Sequence, residues 1–265
     1  SGSKNILEWN PDFFNLNDGA VTYRDNNPHV NQLFNEESFT EMFGSKREKN
    51  QNLLDRHKNI ASSLQRRTEE LIFEIIERAF KLTGNSNLCL AGGVAQNSVA
   101  NGKILSNTSI TDIYIPSAGH DAGISMGAAQ FHYFNNLNND RIAPLYNANL
   151  GISFSNEDIK EVINRLDLDA KYLNDEELFK YVAKAISTNK VIGFFDGSAE
   201  FGPRALGSRS ILADPRNSKA QQLLNEKIKK RESFRPFAPS ILEEYGPDYF
   251  ENYQFTPFME RVLPI

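Results

Sequence analysis

An α/β fold is predicted from three observations. A short apolar strand, a glycine turn and a helix follow one another in NLCLAGGVAQNSVANGKIL and again in DIYIPSAGHDAGISMGAAQFHYF, the pattern of a sheet whose ligands gather at the carboxyl ends of its strands. A long amphipathic helix precedes the first unit. A capped helix later delivers the chain to the apolar strand VIGFF.

Residues 1 to about 50 mix Pro, Asn, Gly and aromatics with little periodicity, and read as a strand or two with irregular connections. From Asp55 to Leu82 the positions Ile60, Leu64, Leu71, Ile72, Ile75, Ile76, Ala79 and Phe80 fall at helical spacing, and Gly84 follows as a stop. After the strand at Leu88–Leu90, Gly92 and Gly93 open a turn, with a helix expected from Gln96 or Asn97. In the second unit Asp121 begins a helix rich in Gly and Ala. A change of composition over residues 135–154 marks a boundary, so two domains are expected, residues 1–150 and 151–265. Ser155 with Asp158, and Asn174 with Glu177, have the spacing of capping boxes. The second of these helices carries Leu178, Phe179, Val182, Ala185 and Ile186 on one stripe. A further helix is expected over Ser218–Arg231, ahead of Pro236, and there is no repeat of fixed period.

The 265 residues are 40% hydrophobic and 24% charged, ordinary for a globular chain with a substantial core. No run of 18 apolar residues exists, and SGSKNILEWN has neither a basic nor an apolar leader region. A cytoplasmic protein without membrane partners is therefore expected, and the initial SGS resembles an expression remnant. Cys89 is the single cysteine, which excludes an intrachain disulfide and a cysteine-based zinc site; in NLCLAGG it reads as a small buried strand residue. The net charge of −5 argues against nucleic-acid binding. Between Arg204 and Arg235, however, nine Lys/Arg face three acids, a local +6 in an acidic chain that suits a small anion such as a phosphate.

Each motif has a plain reading beside the chemical one. Gly92 and Gly93 make a tight strand-to-helix turn, and equally permit a ligand to approach backbone amides at a helix start. Asp121 could cap its helix, or offer a carboxylate to a metal or a substrate hydroxyl. Its neighbour His120 is a tempting second ligand, yet the four histidines (29, 57, 120 and 132) include no i, i+4 pair, so a self-contained histidine metal site is not expected. The segment DGSAEFGPRALGSRSILADPRN reads as an ordered loop. Gly202 and Pro203 set the backbone before Arg204, whose guanidinium can grip phosphate or carboxylate with two parallel hydrogen bonds. KKRESFR adds Lys229, Lys230, Arg231 and Arg235. Lys229 and Arg231 share a side only of an extended segment, so if both touch a ligand the helix must end before them. The plain alternative is salt bridging to Glu226 and Glu232.

Taken in order, LAGGVAQNSVANGKI, GHDAGISMGAA, FGPRALGSRSILADPRN and LNEKIKKRESFRPFAPSIL closely resemble the O-carbamoyltransferase family, which includes nodulation-factor and antibiotic carbamoyltransferases. The resemblance runs from about residue 55 to the end. It implies the second half of an actin/hexokinase-like (ASKHA) lobe over 1–150, followed over 151–265 by part of an α/β lobe that synthesises carbamoyl-adenylate. It implies ATP and carbamoyl phosphate as co-substrates, a divalent metal, usually iron, and transfer of the carbamoyl group to a hydroxyl of a sugar or antibiotic-like small molecule. By the same likeness Gly92, Gly93, Asn97 and Gly202 belong to cofactor-binding loops and Asp121 matches a metal-binding aspartate. Arg204, Lys229, Arg231 and Arg235 match the residues that hold the carbamoyl and phosphate groups.

Two departures accompany the resemblance. The His-x-x-x-His pair of the family's metal site has no counterpart here, and the chain ends at TPFMERVLPI, short of the remaining strands of the second lobe. An interior fragment is expected, inactive by itself, with apolar surface that favours association into a homodimer. The rival readings are a non-catalytic nucleotide-binding module and another actin-fold phosphotransferase such as a sugar kinase.

Overall fold

The computed structural model describes residues 10–15, 21–30, 33–48 and 51–265. The initial SGS lies outside them. The chain forms two compact units, one of residues 1–86 with 106–110 and the other of residues 87–105 with 111–265.

In the first unit, strands β1 (Val21–Arg24) and β2 (Asn27–Val30) form an antiparallel hairpin in the register Val21↔Val30. Its turn residues Asp25 and Asn26 both have positive φ, 50° and 61°, which matches the twist of a two-residue hairpin loop. Helix α1 (Glu36–Phe43) was not expected. Its signal is a single cap, Asn35, whose side-chain oxygen accepts from the amides of Glu37 and Ser38, and its inner side is aromatic, with Phe39 edge-on to Phe13 at 5.0 Å. Helix α2 (Asp55–Thr83) ends at Gly84 as its spacing requires. Of its apolar stripe only Ile76 is buried, while Ile60, Leu64 and Ile75 are exposed.

The second unit begins with the two glycine-turn repeats. Strand β3 (Asn87–Cys89) leads through a 3-10 turn (Gly93–Gln96) into α3 (Ser98–Asn107), which returns the chain to β4 (Asp112–Tyr114). The strands are parallel, with Leu88 opposite Ile113, so the helix is the crossover that a parallel pair needs. The core sits here, with Ala100, Ile104, Ile113, Ile115 and Ala118 all buried. A 3-10 turn (Asp121–Gly123), α4 (Ile124–Phe131) and a π turn (His132–Asn136) follow.

Helices α5 (Asn156–Arg165) and α6 (Asp175–Ser187) both carry the expected capping boxes, at Ser155/Asp158 and Asn174/Glu177. Ala185 on α6 is buried, but Phe179, assigned to the same stripe, is 60% exposed. Strands β5 (Ile192–Phe195) and β6 (Arg209–Leu212) pair antiparallel, Ile192 opposite Leu212 and Phe195 opposite Arg209. The end of the presumed loop is thus a strand, formed because β5 supplies a partner edge. The helix expected over Ser218–Arg231 is shorter and irregular: α7 (Ala220–Leu223) passes into a π turn (Leu224–Lys229) that Lys230 ends with φ 47°. A last short helix, α8 (Gly246–Tyr249), precedes the C-terminal segment.

Candidate active site

The glycine turn is built from the end of β3. Gly92 has φ 105° and its amide donates to the carbonyl of Gly119 at 2.6 Å, which joins the two glycine turns. A side chain would strain that backbone. The helix starts at Ser98, slightly later than its spacing predicts, because the 3-10 turn intervenes and Asn97 caps it, its Oδ1 accepting from the Ala100 amide at 3.1 Å.

Beside this turn lies a cavity of about 620 Å³, walled by Cys89, Gly92, Tyr114, His120, Asp121 and Arg141 among others. Its size fits a small-molecule site. Cys89, expected to be buried, is exposed and faces this space, because its side of β3 opens on the cavity. Tyr114 donates from its hydroxyl to the Leu145 carbonyl at 3.0 Å and so holds the far wall. Burial, and then the neighbouring Tyr146, push its phenol pKa upward.

Asp121 does not cap its turn. The N-cap is His120, without a side-chain bond, and the exposed Asp121 carboxylate has no hydrogen bond or ion pair among the described residues. Nδ1 of His120 is shielded and likewise without a partner. Among the described residues no three His, Cys, Asp or Glu side chains gather as a metal would require. A single carboxylate does not by itself fit a resident iron.

The second group of residues lies on the connection between β5 and β6. Gly202, at φ 147°, packs so closely on the Ser117 carbonyl that a Cβ would collide with it, and the Ser117 hydroxyl donates to the Phe201 carbonyl at 2.8 Å. Glu200, which the sequence reading missed, organises the loop: one carboxylate oxygen accepts from the amides of Leu206 (2.8 Å) and Ser208 (2.7 Å). Burial pushes its pKa up, but the backbone amides outweigh that and the net shift is downward.

The arginines of this segment divide by role. Arg209 donates to the carbonyls of Asp196, Gly197 and Ser208 and stacks over Phe195 at 3.3 Å. Arg216 pairs with the buried Asp214 at 2.7 Å and, chiefly by that hydrogen bond, lowers the Asp214 carboxyl pKa to about 2. Both are structural. Arg204 is exposed and unpaired among the described residues, and it lines a small cavity of about 10 Å³ with Gln96, Ser117 and Glu260.

Lys229 is the last residue of the π turn, not the first beyond a helix, and the left-handed Lys230 turns the chain back. Arg231 is held by Asn225, Nε to Oδ1 at 2.7 Å, and lies 4.7 Å from the Phe237 ring centre. Arg235 is paired with Glu232 at 2.8 Å, which matches the plain alternative for that residue, whereas Glu226 accepts from Gln222. Neither of the two cavities includes Lys229, Arg231 or Arg235. Arg204 and Gln96 of the glycine turn line one small cavity, whereas Arg231 and Arg235 lie together on a separate loop.

Comparison with known proteins bears on both groups. The carbamoyltransferase N-terminus model matches residues 3–130, with Gly92, Gly93, Asn97 and Asp121, and the carbamoyltransferase C-terminus model matches 183–265, with Gly202, Arg204, Lys229, Arg231 and Arg235. The chain belongs to the carbamoyltransferase family. Among curated relatives, the nodulation protein NolNO of Sinorhizobium fredii is 37% identical over 237 residues, 83% of this chain and 33% of that protein. The nodulation protein NolO of Bradyrhizobium diazoefficiens is 37% identical over 226 residues, 83% of this chain and 41% of its own length. An uncharacterized protein of Synechocystis is 42% identical over 234 residues, 86% of this chain and 38% of its own. The chain thus spans from a third to two-fifths of the length of these three relatives.

Proposed function

We propose that this chain is part of an O-carbamoyltransferase that forms carbamoyl-adenylate from ATP and carbamoyl phosphate and transfers the carbamoyl group to a hydroxyl of a small molecule. The observation that carries the reading is the division of the arginines: on a loop where Arg209 and Arg216 are consumed by structure, Arg204 is left unpaired beside the glycine turn. An unpaired guanidinium on a stiff loop suits the anionic oxygens that gather as an adenylate forms and pyrophosphate leaves.

In this reading Gly92, Gly93 and Asn97 hold the nucleotide and Gly202 sets the loop for Arg204. Lys229, Arg231 and Arg235 contribute charge to the carbamoyl and phosphate groups. Asp121 would give one carboxylate oxygen to an iron, which needs further ligands to hold it. The reading also takes residues 1–150 as the rear of an actin-like (ASKHA) lobe and 151–265 as the front of the adenylate-forming lobe. It places the protein in the cytoplasm, and its exposed apolar side chains favour a homodimer. No helix of the described residues is long and apolar enough to cross a membrane.

Calorimetric titration tests the assignment. ATP and carbamoyl phosphate should each bind, with Arg204→Ala weakening carbamoyl phosphate about tenfold or more, as loss of a charge-assisted contact predicts. Binding of ATP alone, untouched by Arg204→Ala, would instead favour a sugar-kinase-like protein, and binding of neither by the full-length protein would overturn the reading. Iron analysis of the full-length protein provides a separate measure: Asp121→Ala should lower the iron retained after reconstitution, and unchanged occupancy would remove Asp121 from the site.

A further inference from the structure

The amide of Asn101 lies at a joint between the two groups of residues. Asn101 is 1% exposed. Its Nδ2 donates one hydrogen to the Ala95 carbonyl in the glycine turn (2.8 Å) and the other to the Glu260 carbonyl (2.9 Å), 159 residues away in sequence. Both donors of the side-chain amide are thereby used. Glu260 is itself fixed, its Oε2 accepting from the Phe258 amide at 2.8 Å and the Thr256 hydroxyl at 3.0 Å, and it lines the same small cavity as Arg204 and Gln96. Between them Met259 takes φ 56°, a left-handed conformation that a long side chain adopts at a cost and only where surrounding bonds impose it. One turn along the helix, the Val262 amide donates to the Ser98 carbonyl at 2.9 Å, and Gly102 leaves room for the Val262 carbonyl.

We infer that Asn101 is a positioning residue for carbamoyl transfer: it sets the place of the Gly92–Gln96 turn relative to Arg204, through the segment Phe258–Glu260. The inference rests on the proposed function, since it takes the turn to hold the nucleotide and Arg204 the anionic group. A ligand that shifts the turn shifts the Arg204 loop with it, and the Asn101 amide is then the link through which occupancy of one site alters affinity at the other. Asn101 itself lines neither cavity. Its removal therefore affects the coupling before it affects either affinity.

The test compares the full-length protein with its Asn101→Asp variant, which keeps the shape but replaces the one donor nitrogen by an oxygen facing both carbonyls. Val262→Pro serves as a second variant, since it frees the same segment and leaves the amide in place. Hydrogen exchange of the protein without ligands should rise at 92–96 and 258–262 together in Asn101→Asp, with β5 unchanged. In calorimetry, an ATP analogue with an uncleavable α,β bond should change carbamoyl phosphate affinity about fivefold or more in the unaltered protein. In both variants that factor should fall to near one, with each single affinity kept within about threefold. Equal weakening of both ligands with coupling retained, or exchange rising at 258–262 alone, would overturn the positioning role and leave the proposed function standing. Full-length protein that binds neither ligand would overturn both.

Discussion

Glu200 shows what one carboxylate does for a glycine-rich loop. Between Gly202 and Gly207 the backbone has little to hold it, yet two amides converge on a single oxygen and close the turn that carries Arg204. Its folded pKa is lowered, so its contribution is fully present above the ordinary carboxylate value of about 4.3 and is lost as pH falls through the folded value. Glu200→Ala should cost about 1–3 kcal/mol in urea unfolding. Glu200→Gln keeps an oxygen for both amides and should remove most of the acid-range slope of stability that this residue contributes. The role was not legible in sequence, because its partners are backbone amides six and eight residues away whose direction depends on the turn they close. Cys89 failed for a related reason: a small apolar residue in a short strand is buried only when strands cover both faces and edges.

At the scale of elements, local rules held where both partners lie within one helical turn. The boxes at Ser155 and Asn174 are i, i+3 contacts, and their residues alone specify them. The segment after β6 did not follow such a rule. Asn225, fully buried, donates from Nδ2 to the carbonyls of Ser233 (3.1 Å) and Arg235 (2.9 Å) and accepts from Arg231. That network widens the helix into a π turn and folds KKRESFR back on it. Asn225→Ala should therefore cost about 2–4 kcal/mol, since it removes three hydrogen bonds made by a fully buried side chain and leaves a void. Near-ultraviolet circular dichroism and urea titration would show whether the loss stays local to this loop.

Over the whole molecule, the local excess of positive charge was legible and its use was not. Nine cations in the window from Arg204 to Arg235 announce an anion, but the structure spends Arg209 on carbonyls and Arg216 on Asp214. Alternation of strand, glycine turn and helix, the capping boxes and the order of the four motifs follow from the sequence itself, because each depends on residues close together in the chain. Tertiary structure alone decided which arginine stays unpaired, that Cys89 faces a cavity and that Asn101 ties Ala95 to Glu260. Those outcomes depend on hydrogen-bond partners from distant segments, and a donor's choice among distant acceptors is settled only by which of them folding brings within about 3 Å.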